Sequence, residues 1–501
     1  MATLWNKGKS ATRIVEDFTV GKDRELDLRL ALYDVTGSMA HVQMLGKTGL
    51  LTSAETEVLT EGLKALETEI RAGKFTLSED VEDIHSQVEL LLTQRLGEVG
   101  KKIHSGRSRN DQVLVDLRLF FRDELLKLRE ETLELFNELQ ELSEKYSQVL
   151  LPGYTHTQIA MPSSFGMWFG AYAEALVDNM YECGGCWKIT NRNPLGSAAG
   201  YGNSFPLDRE MTTELLGFDS PVVNSVAAQL GRGAGERSIA SAIGGIALTL
   251  NKFASDCIAY MCPNFGFIKF PDELTTGSSI MPHKKNPDVW EIIRGRCNII
   301  LSAQNTVCMM CSNTIHGYHR DWQLLKEVIF PALEYTHQCL EMTAYMLRHI
   351  EINEHILDNS IYKYMFTVEE VNRRTLGGVP FRDAYREVGI EVNQGRFHYG
   401  ASDARSGSGM TSESHSQPDR DPFTDDRHSR PDRESIADDR HSRLDRESIA
   451  EDRHSQPDRE SLTVKDLNHT HLGSIGNLAN DRIKTLMNEA SAWGKGKTKL
   501  I

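Results

Sequence analysis

Apolar side chains recur at helical spacing over most of the chain. Between Arg107 and Leu151 there is neither glycine nor proline, and apolar residues return at steps of three and four, as on one face of an α-helix. An unbroken helix there would extend roughly 60 Å. Residues 236–262 are apolar nearly all round, residues 288–330 lack proline and keep helical spacing, and strand signals are few and short. The pattern predicts an all-α fold with a long central helix bundle and three helical domains.

The charge balance and the cysteine content limit the partners and the compartment. The 501 residues carry a formal net charge of −15, which argues against nucleic acid or an anionic membrane as a partner. The opening residues lack an apolar core, so no signal peptide is predicted. No uncharged run is apolar enough to suggest a membrane span. Eight cysteines are too few for a disulfide scaffold and predict a reduced, cytoplasmic protein.

Two C-x-x-C pairs occur, Cys183/Cys186 and Cys308/Cys311. Each pair falls in a predicted helix, where positions i and i+3 share a face. We favour cysteines buried in helix packing over a zinc site.

A tandem repeat interrupts the globular pattern near residue 400. The 13-residue unit DRHSRPDRESIAD starts at residue 426 and recurs with small changes at 439 and 452. It is too short and too poor in apolar side chains to build a core. Residues 401–462 are therefore predicted to be a disordered insertion, with an interaction or regulatory segment as the alternative. The other predicted divisions are an N-terminal helical domain at 1–107, a central long-helix bundle at 108–350, and a C-terminal helical domain made of 351–400 and 463–501.

The segment TTGSSIMPHKKNP, residues 275–287, lies between long helical runs but cannot continue either of them. Asn286 is predicted to cap the next helix and Pro287 to occupy its first turn. The two lysines and that helix N-terminus supply positive potential, which would stabilise a serine alkoxide. A serine here could therefore act as a base or a nucleophile. A surface loop with incidental lysines is the alternative.

Two other polar groups precede this segment. In HSGRSRNDQ, residues 104–112, two arginines flank Ser108, and Asn110 is predicted to cap the long helix. Hydroxyl, guanidinium and backbone N–H groups together suit a carboxylate or a phosphate. In PGYTHTQ, His156 lies between threonines; a lone histidine is usually structural, but this one is an acid/base candidate.

A further polar group follows, in YHRDWQLLKE at residues 318–327. Tyr318, Gln323 and Lys326 lie where another helix is predicted to start. No zinc, P-loop or dinucleotide-binding spacing is present in the chain.

GSSIMPHKKNP resembles the signature loop of the fumarase/aspartase superfamily, whose members share the pattern G-S-S-x-M-P-x-K-x-N. The motif is highly specific and the match is nearly complete. GRSRNDQV, NPLGSAAGYGNSFPLDR, GVPFRDAYREVG and the opening LWNKG resemble the argininosuccinate lyases within that superfamily. The resemblance covers residues 1–397 and 463–501 and excludes the repeats.

The resemblance implies a mostly helical homotetramer whose active sites are assembled from segments of different subunits. It implies a reversible anti β-elimination of argininosuccinate to arginine and fumarate, the last step of arginine biosynthesis. The reaction would pass through an aci-carboxylate carbanion, without a metal or an organic cofactor. One alternative is another fumarate-releasing lyase, such as adenylosuccinate lyase, against which GRSRNDQ argues. Another is an inactive structural homologue, because the family includes lens crystallins.

The family's roles, carried over by motif position, give each polar group a function. Ser278 would be the base, and Lys284 with Asn286 would hold the carboxylate and stabilise the carbanion. His156 would be the acid or its relay, with Glu291 as its carboxylate partner. The remaining predicted substrate-binding residues are Ser108, Arg109, Asn110 and Thr155 for the fumarate-side carboxylates, Tyr318, Gln323 and Lys326 for the substrate tail, and Asp83 for the substrate amino group.

Two departures from the family pattern concern the substrate tail. The family usually has Y-N-K-D-x-Q-E where this chain has YHRDWQLLKE. The family's N-terminal substrate-binding serine has no clear counterpart in FTVGKDREL, where Asp23 is nearest by alignment and receives no role. Neither departure removes a catalytic group.

Overall fold

The computed structural model describes residues 12–78, 81–399 and 462–497. The α-helices within these ranges are α1 Arg13–Val20, α2 Asp23–Asp27, α3 Ala31–Lys47, α4 Ser53–Arg71, α5 Ile84–Leu96, α6 Glu98–Lys101, α7 Arg109–Lys145, α8 Phe165–Thr190, α9 Arg209–Leu215, α10 Ser225–Leu230, α11 Ala234–Met261, α12 Asp288–Cys311, α13 Leu325–Leu347, α14 Thr367–Leu376, α15 Phe381–Asn393 and α16 Asn480–Ala490. Three two-stranded sheets pair β1 Leu150–Thr155 with β2 Gln158–Ser164, β3 Arg192–Asn193 with β4 Ser220–Pro221, and β5 Ile268–Lys269 with β6 Glu351–Ile352.

Five long helices, α7, α8, α11, α12 and α13, form the central bundle. Helix α11 packs along α12, α7 along α8, and α13 against both α7 and α12. Packed aromatic rings fill the interior, including Phe120 tilted against Phe330 with ring centroids 4.7 Å apart and Trp168 stacked on Phe253 at 5.2 Å. The predicted all-α bundle is confirmed. In the part of the chain that the structure describes, no helix is long and apolar enough to cross a membrane.

The first helical run ends earlier than its sequence pattern predicts. Helix α7 has 37 residues, about 55 Å at the usual rise, and stops at Lys145. The chain then turns into the β1–β2 hairpin, in which Pro152 lies opposite Pro162. Proline lacks the backbone N–H that a helix interior requires, so both positions favour extended structure.

The helical spacing over 288–330 does not form one helix; it is interrupted before the helix start that is predicted within 318–327. Helix α12 ends at Cys311, and a 3₁₀ turn at Arg320–Leu324 leads into α13. Between them Gly317 has a φ of 100°, a conformation that glycine adopts without steric cost. No proline marks this break, so the apolar spacing alone could not reveal it.

Most buried apolar residues fall into two clusters. The smaller lies among α3, α4 and α5, around Leu59 and Leu63. The larger fills the bundle and includes both Phe397 and Val464, which flank the repeats in sequence. The chain therefore returns to the same core after the repeats. The domain boundaries at 107 and 350 remain predictions, and the predicted disordered insertion, apart from Leu462, lies outside the described residues.

The two C-x-x-C pairs occupy different environments. Cys183 and Cys186 are buried in α8, as predicted, whereas Cys308 is exposed on α12 and Cys311 is half-buried. The prediction of buried packing is therefore wrong for Cys308.

Candidate active site

The start of α7 is fixed by Ser108 and not by Asn110, so the predicted cap is wrong by two residues. Ser108 Oγ accepts a hydrogen bond from the Asn110 backbone N–H at 3.3 Å, and the Ser108 N–H donates to Asp111 Oδ1 at 2.8 Å. The other Asp111 oxygen accepts from the Gly196 and Ala198 N–H groups. This reciprocal capping leaves the Asn110 side chain available at the helix N-terminus.

Two predicted substrate-binding residues, Arg109 and Asp83, form an ion pair. Arg109 Nε lies 2.7 Å from Asp83 Oδ2, and its Nη1 lies 3.3 Å from Glu82 Oε2. Asp83 also caps α5 by accepting from the Ser86 N–H at 2.8 Å. Burial opposes the charge on Asp83, but His85, Arg109 and the Ser86 N–H outweigh it and lower the pKa of the carboxyl. Arg109 is thus held by carboxylates at the N-terminal start of α7.

Lys326, in the first turn of α13, is buried between two carboxylates of α2. Its Nζ lies 2.6 Å from Asp23 Oδ1 and also contacts Asp27 Oδ1. Gln323 Nε2 donates to Asp23 Oδ2 at 2.6 Å. Burial opposes the charge on Lys326, but the two carboxylates outweigh it and raise the pKa of the ammonium group. Burial raises the pKa of the Asp27 carboxyl, against the attraction of Lys326.

Tyr318 interacts electrostatically with both ion-paired groups, and Arg320 belongs to the group around Glu82. Burial raises the pKa of the Tyr318 phenol; Arg232 and Lys326 oppose the shift and Asp23 adds to it. Arg320 pairs with Glu82 and donates from Nε to the Thr19 carbonyl at 3.2 Å. We refer to the assembled residues as the tail cluster: Asp23, Asp27, Glu82, Asp83, Arg109, Tyr318, Arg320, Gln323 and Lys326.

The structure thus brings together five of the predicted substrate-binding residues: Asp83, Arg109, Tyr318, Gln323 and Lys326. Sequence reasoning missed the four other members of the tail cluster, which are Asp23, Asp27, Glu82 and Arg320. One signal was available, since Asp23 and Asp27 are four residues apart and therefore share a face of a short helix.

The loop at 275–287, called here the signature loop, is closed at its base by Thr276 and Asn286. These residues form an antiparallel bridge, and the Asn286 side chain donates to Thr276 Oγ1 and to the Gly277 carbonyl. Asn286 is therefore not the cap of α12, as was predicted; Pro287 occupies that position, and the helix starts at Asp288. Asn286 instead shapes the loop.

Ser278 lies inside the signature loop, half-buried. Its Oγ accepts from the backbone N–H groups of Ile280 at 3.3 Å and Met281 at 3.2 Å. Two N–H donors directed at one hydroxyl oxygen stabilise negative charge on that oxygen. Lys284 follows on the same loop and is exposed. This geometry suits the predicted role of Ser278 as a base, which stays a prediction.

His156 lies at the tip of the β1–β2 hairpin, exposed to solvent. It and Thr157 both have positive φ values, 52° and 60°, as the two central residues of a tight type I′ hairpin turn require. Thr155 is the last residue of β1, paired with Gln158. Glu291 is exposed on the first turn of α12. Among the described residues of one chain, no hydrogen bond or ion pair joins His156 to Glu291, or either of them to Ser278.

A buried acid–histidine group follows the Asp83 cap. His85 Nδ1 lies 2.8 Å from Asp34 Oδ1 and 3.6 Å from Asp116 Oδ2. Burial opposes the charged imidazole, but the two carboxylates outweigh it and raise the pKa of His85 to about 9. Across the described ranges, this is the one group whose donor atoms are close enough together to hold a metal ion. Because the buried Arg107 also acts on both carboxylates, the group suits internal ion pairing better than a metal.

Comparisons with known proteins show the family of the chain. Residues 8–301 match a family model described as a lyase. Argininosuccinate lyase from Phocaeicola vulgatus is 49% identical over 486 residues, which cover 97% of this chain and 95% of that protein. The chain belongs to the argininosuccinate lyase family. Argininosuccinate lyase from Thermotoga neapolitana is 40% identical, with 77% of this chain and 97% of that protein covered.

Solved structures at lower identity share the fold of this argininosuccinate lyase family member. An EDDS lyase in complex with formate superposes with a TM-score of 0.65 at 23% identity, covering 77% of this chain and 78% of that one. Class II fumarase from Schistosoma mansoni gives a TM-score of 0.61 at 17% identity, covering 76% and 91%. The fold is therefore of the fumarase/aspartase type.

Proposed function

We propose that this protein is an argininosuccinate lyase, which cleaves argininosuccinate to arginine and fumarate by anti β-elimination. The observation that carries the proposal is the identity of 49% to a protein of that name over nearly the whole of both chains. The signature loop, with Ser278, Lys284 and Asn286 in place, supplies the chemistry. The enzyme is thus a carbon–nitrogen lyase acting in arginine biosynthesis.

The chemistry starts with the loss of a proton from the carbon next to a succinyl carboxylate. Ser278 Oγ takes that proton, helped by the backbone N–H groups that point at it. Lys284 and Asn286 hold the carboxylate on which negative charge develops in the carbanion. The carbon–nitrogen bond then breaks, and the electron pair of the carbanion forms the double bond of fumarate. His156, with Glu291, returns a proton to the departing guanidino nitrogen.

Most of the substrate-binding residues lie near the starts of α7 and α13. Ser108, Arg109 and Asn110, with Thr155, receive the fumarate-side carboxylates at the N-terminus of α7, where the helix dipole favours anions. Tyr318, Gln323 and Lys326 bind the substrate tail, and Asp83 contacts the substrate amino group; Gln323 and Lys326 flank the start of α13.

The direct test follows fumarate release by its ultraviolet absorbance with two succinyl compounds. We expect turnover of argininosuccinate and none of adenylosuccinate at the same concentration, because the GRSRNDQ segment is typical of the argininosuccinate lyases. Turnover of adenylosuccinate alone would make the protein a different fumarate-releasing lyase. No turnover of either would support an inactive structural homologue.

We further propose a homotetramer in which each site takes residues from different chains. The absence of described contacts within one chain between His156, Glu291 and Ser278 supports this arrangement. The eight free cysteines support a reducing compartment, which we propose to be the cytoplasm.

Shared sites predict recovery of activity between two inactive variants. Asn110→Ala and Ser278→Ala change different segments, so co-refolded hybrids contain some sites with neither change and should regain measurable fumarate release. Ser278→Ala with Lys284→Met is the matched control, because both changes lie in the signature loop and no unaltered loop exists in the hybrid. Recovery in the control pair, or none in the test pair, would contradict shared sites.

A further inference from the structure

A cavity of about 250 Å³ lies outside the tail cluster, where α11 begins. Its wall combines residues from the end of α10, the start of α11 and the connection between α12 and α13, and none of them belongs to the tail cluster. Helix α11 has 28 residues, and its first backbone N–H groups give this end of the helix a partial positive charge. The cavity therefore lies where an anion is favoured.

Three buried side chains in the cavity wall have polar atoms without a partner. Both amide atoms of Gln229, Nη1 of Arg232 and the indole Nε1 of Trp322 form no hydrogen bond within the described residues. Each of these three residues is 5% exposed or less. Unpaired buried polar atoms are costly, and three of these four atoms are donors. A ligand rich in hydrogen-bond acceptors would satisfy them.

Cations outnumber carboxylates at this end of α11. Arg232 Nε lies 3.2 Å from Glu236 Oε1, so these two charges balance. Arg237 also lines the cavity; it is exposed and forms no ion pair among the described residues. From α7, the Arg118 guanidinium lies against Gly235. Three guanidinium groups thus accompany one carboxylate, and the excess positive charge favours an anion.

We propose that this cavity binds a phosphate group, either free or as the terminal group of a small metabolite. The donors come from α10, from the α10–α11 connection and from the 3₁₀ turn before α13. A tetrahedral anion presents acceptors in all of these directions, whereas a carboxylate presents them in one plane. Gly317 and Trp322 of the wall flank Tyr318 in sequence, so the bound phosphate would also hold the connection that carries this tail-cluster residue.

Titration calorimetry with inorganic phosphate tests the site in the intact oligomer. The wild-type protein should bind phosphate with a Kd of about 1 mM or lower. Arg237→Gln should raise the Kd by about tenfold or more, since a charge-assisted hydrogen bond is lost. Lys252→Gln is the matched control, because Lys252 is exposed on the same helix, about 22 Å further along it, and its loss should leave the Kd unchanged.

Gln229→Leu is a second variant, for which two results are expected. Because the amide has no partner within the described residues, leucine should not lower the midpoint of thermal unfolding in phosphate-free buffer. The same change should raise the Kd for phosphate. A parallel titration with glycerol 3-phosphate distinguishes the two sources of the group. Tighter binding than that of inorganic phosphate identifies a phosphorylated metabolite, and weaker binding identifies the free anion.

Lys284→Met separates this cavity from the proposed carboxylate site of the signature loop. Its Kd for phosphate should equal that of the wild type, because Lys284 does not line the cavity. The proposal would be refuted by the absence of saturable binding up to about 10 mM phosphate, by wild-type affinity in Arg237→Gln or Gln229→Leu, or by loss of binding in Lys284→Met. These readouts measure binding and not fumarate release, so the lyase proposal is tested separately.

Discussion

Ser278→Ala is expected to lower the rate of fumarate release by about 10²–10⁴-fold, the usual contribution of a positioned general base. The Ile280 and Met281 N–H groups donate hydrogen bonds to the Ser278 hydroxyl oxygen. Alanine lacks this oxygen and so cannot accept a proton. The fold should be unaffected, because Ser278 lies in an exposed loop outside the core. Initial rates with saturating argininosuccinate, together with the oligomer mass in solution, provide the measurement.

Ser279→Ala is the natural control for this experiment. Ser279 is the adjacent serine, is exposed, and receives no role in the proposed mechanism. Its replacement should change the rate by much less than that of Ser278. Equal losses at both positions would mean that the loop conformation, and not a base at Ser278, limits the reaction.

Lys326→Met is expected to destabilise the protein by about 3–5 kcal/mol, the range found when one partner of a buried ion pair is removed. The change would leave Asp23 and Asp27 buried close together without the ammonium group that contacts both, and methionine cannot donate a hydrogen bond to either. We expect a clear decrease in the midpoint of thermal unfolding and a loss of activity. Calorimetry at fixed protein concentration measures the shift, since the midpoint of an oligomer depends on concentration.

Two further variants show whether the buried ion pair causes the loss of stability. Lys484→Met removes a lysine paired with Glu144 at the surface, where the lysine side chain is 41% exposed, and should cost no more than about 1 kcal/mol. Adding Asp27→Asn to Lys326→Met should restore part of the stability by removing one of the stranded charges. If Lys326→Met unfolds at the wild-type temperature, the buried pair contributes little to stability.

Helical periodicity predicted the bundle well but not the places where helices stop. The apolar spacing of α7 and α11 appears directly in the sequence because one face of each helix fills the core. The break after Cys311 was missed because glycine, serine and asparagine allow a turn without requiring one. The β1–β2 hairpin was missed because its outer residues are polar and its strands short.

The candidate site was predictable where a motif is local and not where it depends on distant contacts. Ser278 and Lys284 are six residues apart in the same loop, so one sequence motif contains both. Asp23 and Lys326 are separated by about 300 residues, and their contact depends on how α2 packs on α13. An acidic pair on a short helix ordinarily indicates a solvent-facing surface. Only the packing shows that Asp23 and Asp27 face inward.

The position of the last helix has a consequence for synthesis of the chain. Helix α16 packs on a part of α8 that α7 and α11 leave uncovered, and Trp187 packs on Trp493 with ring centroids 5.6 Å apart. That part of α8 is covered only after residues 480–493 have been synthesised. Synthesis of the 62 residues of 401–462 delays the covering of this part of α8 by roughly 3–12 s at translation rates of about 5–20 residues per second. During this interval the nascent chain presents the uncovered face of α8 to chaperones and to other chains.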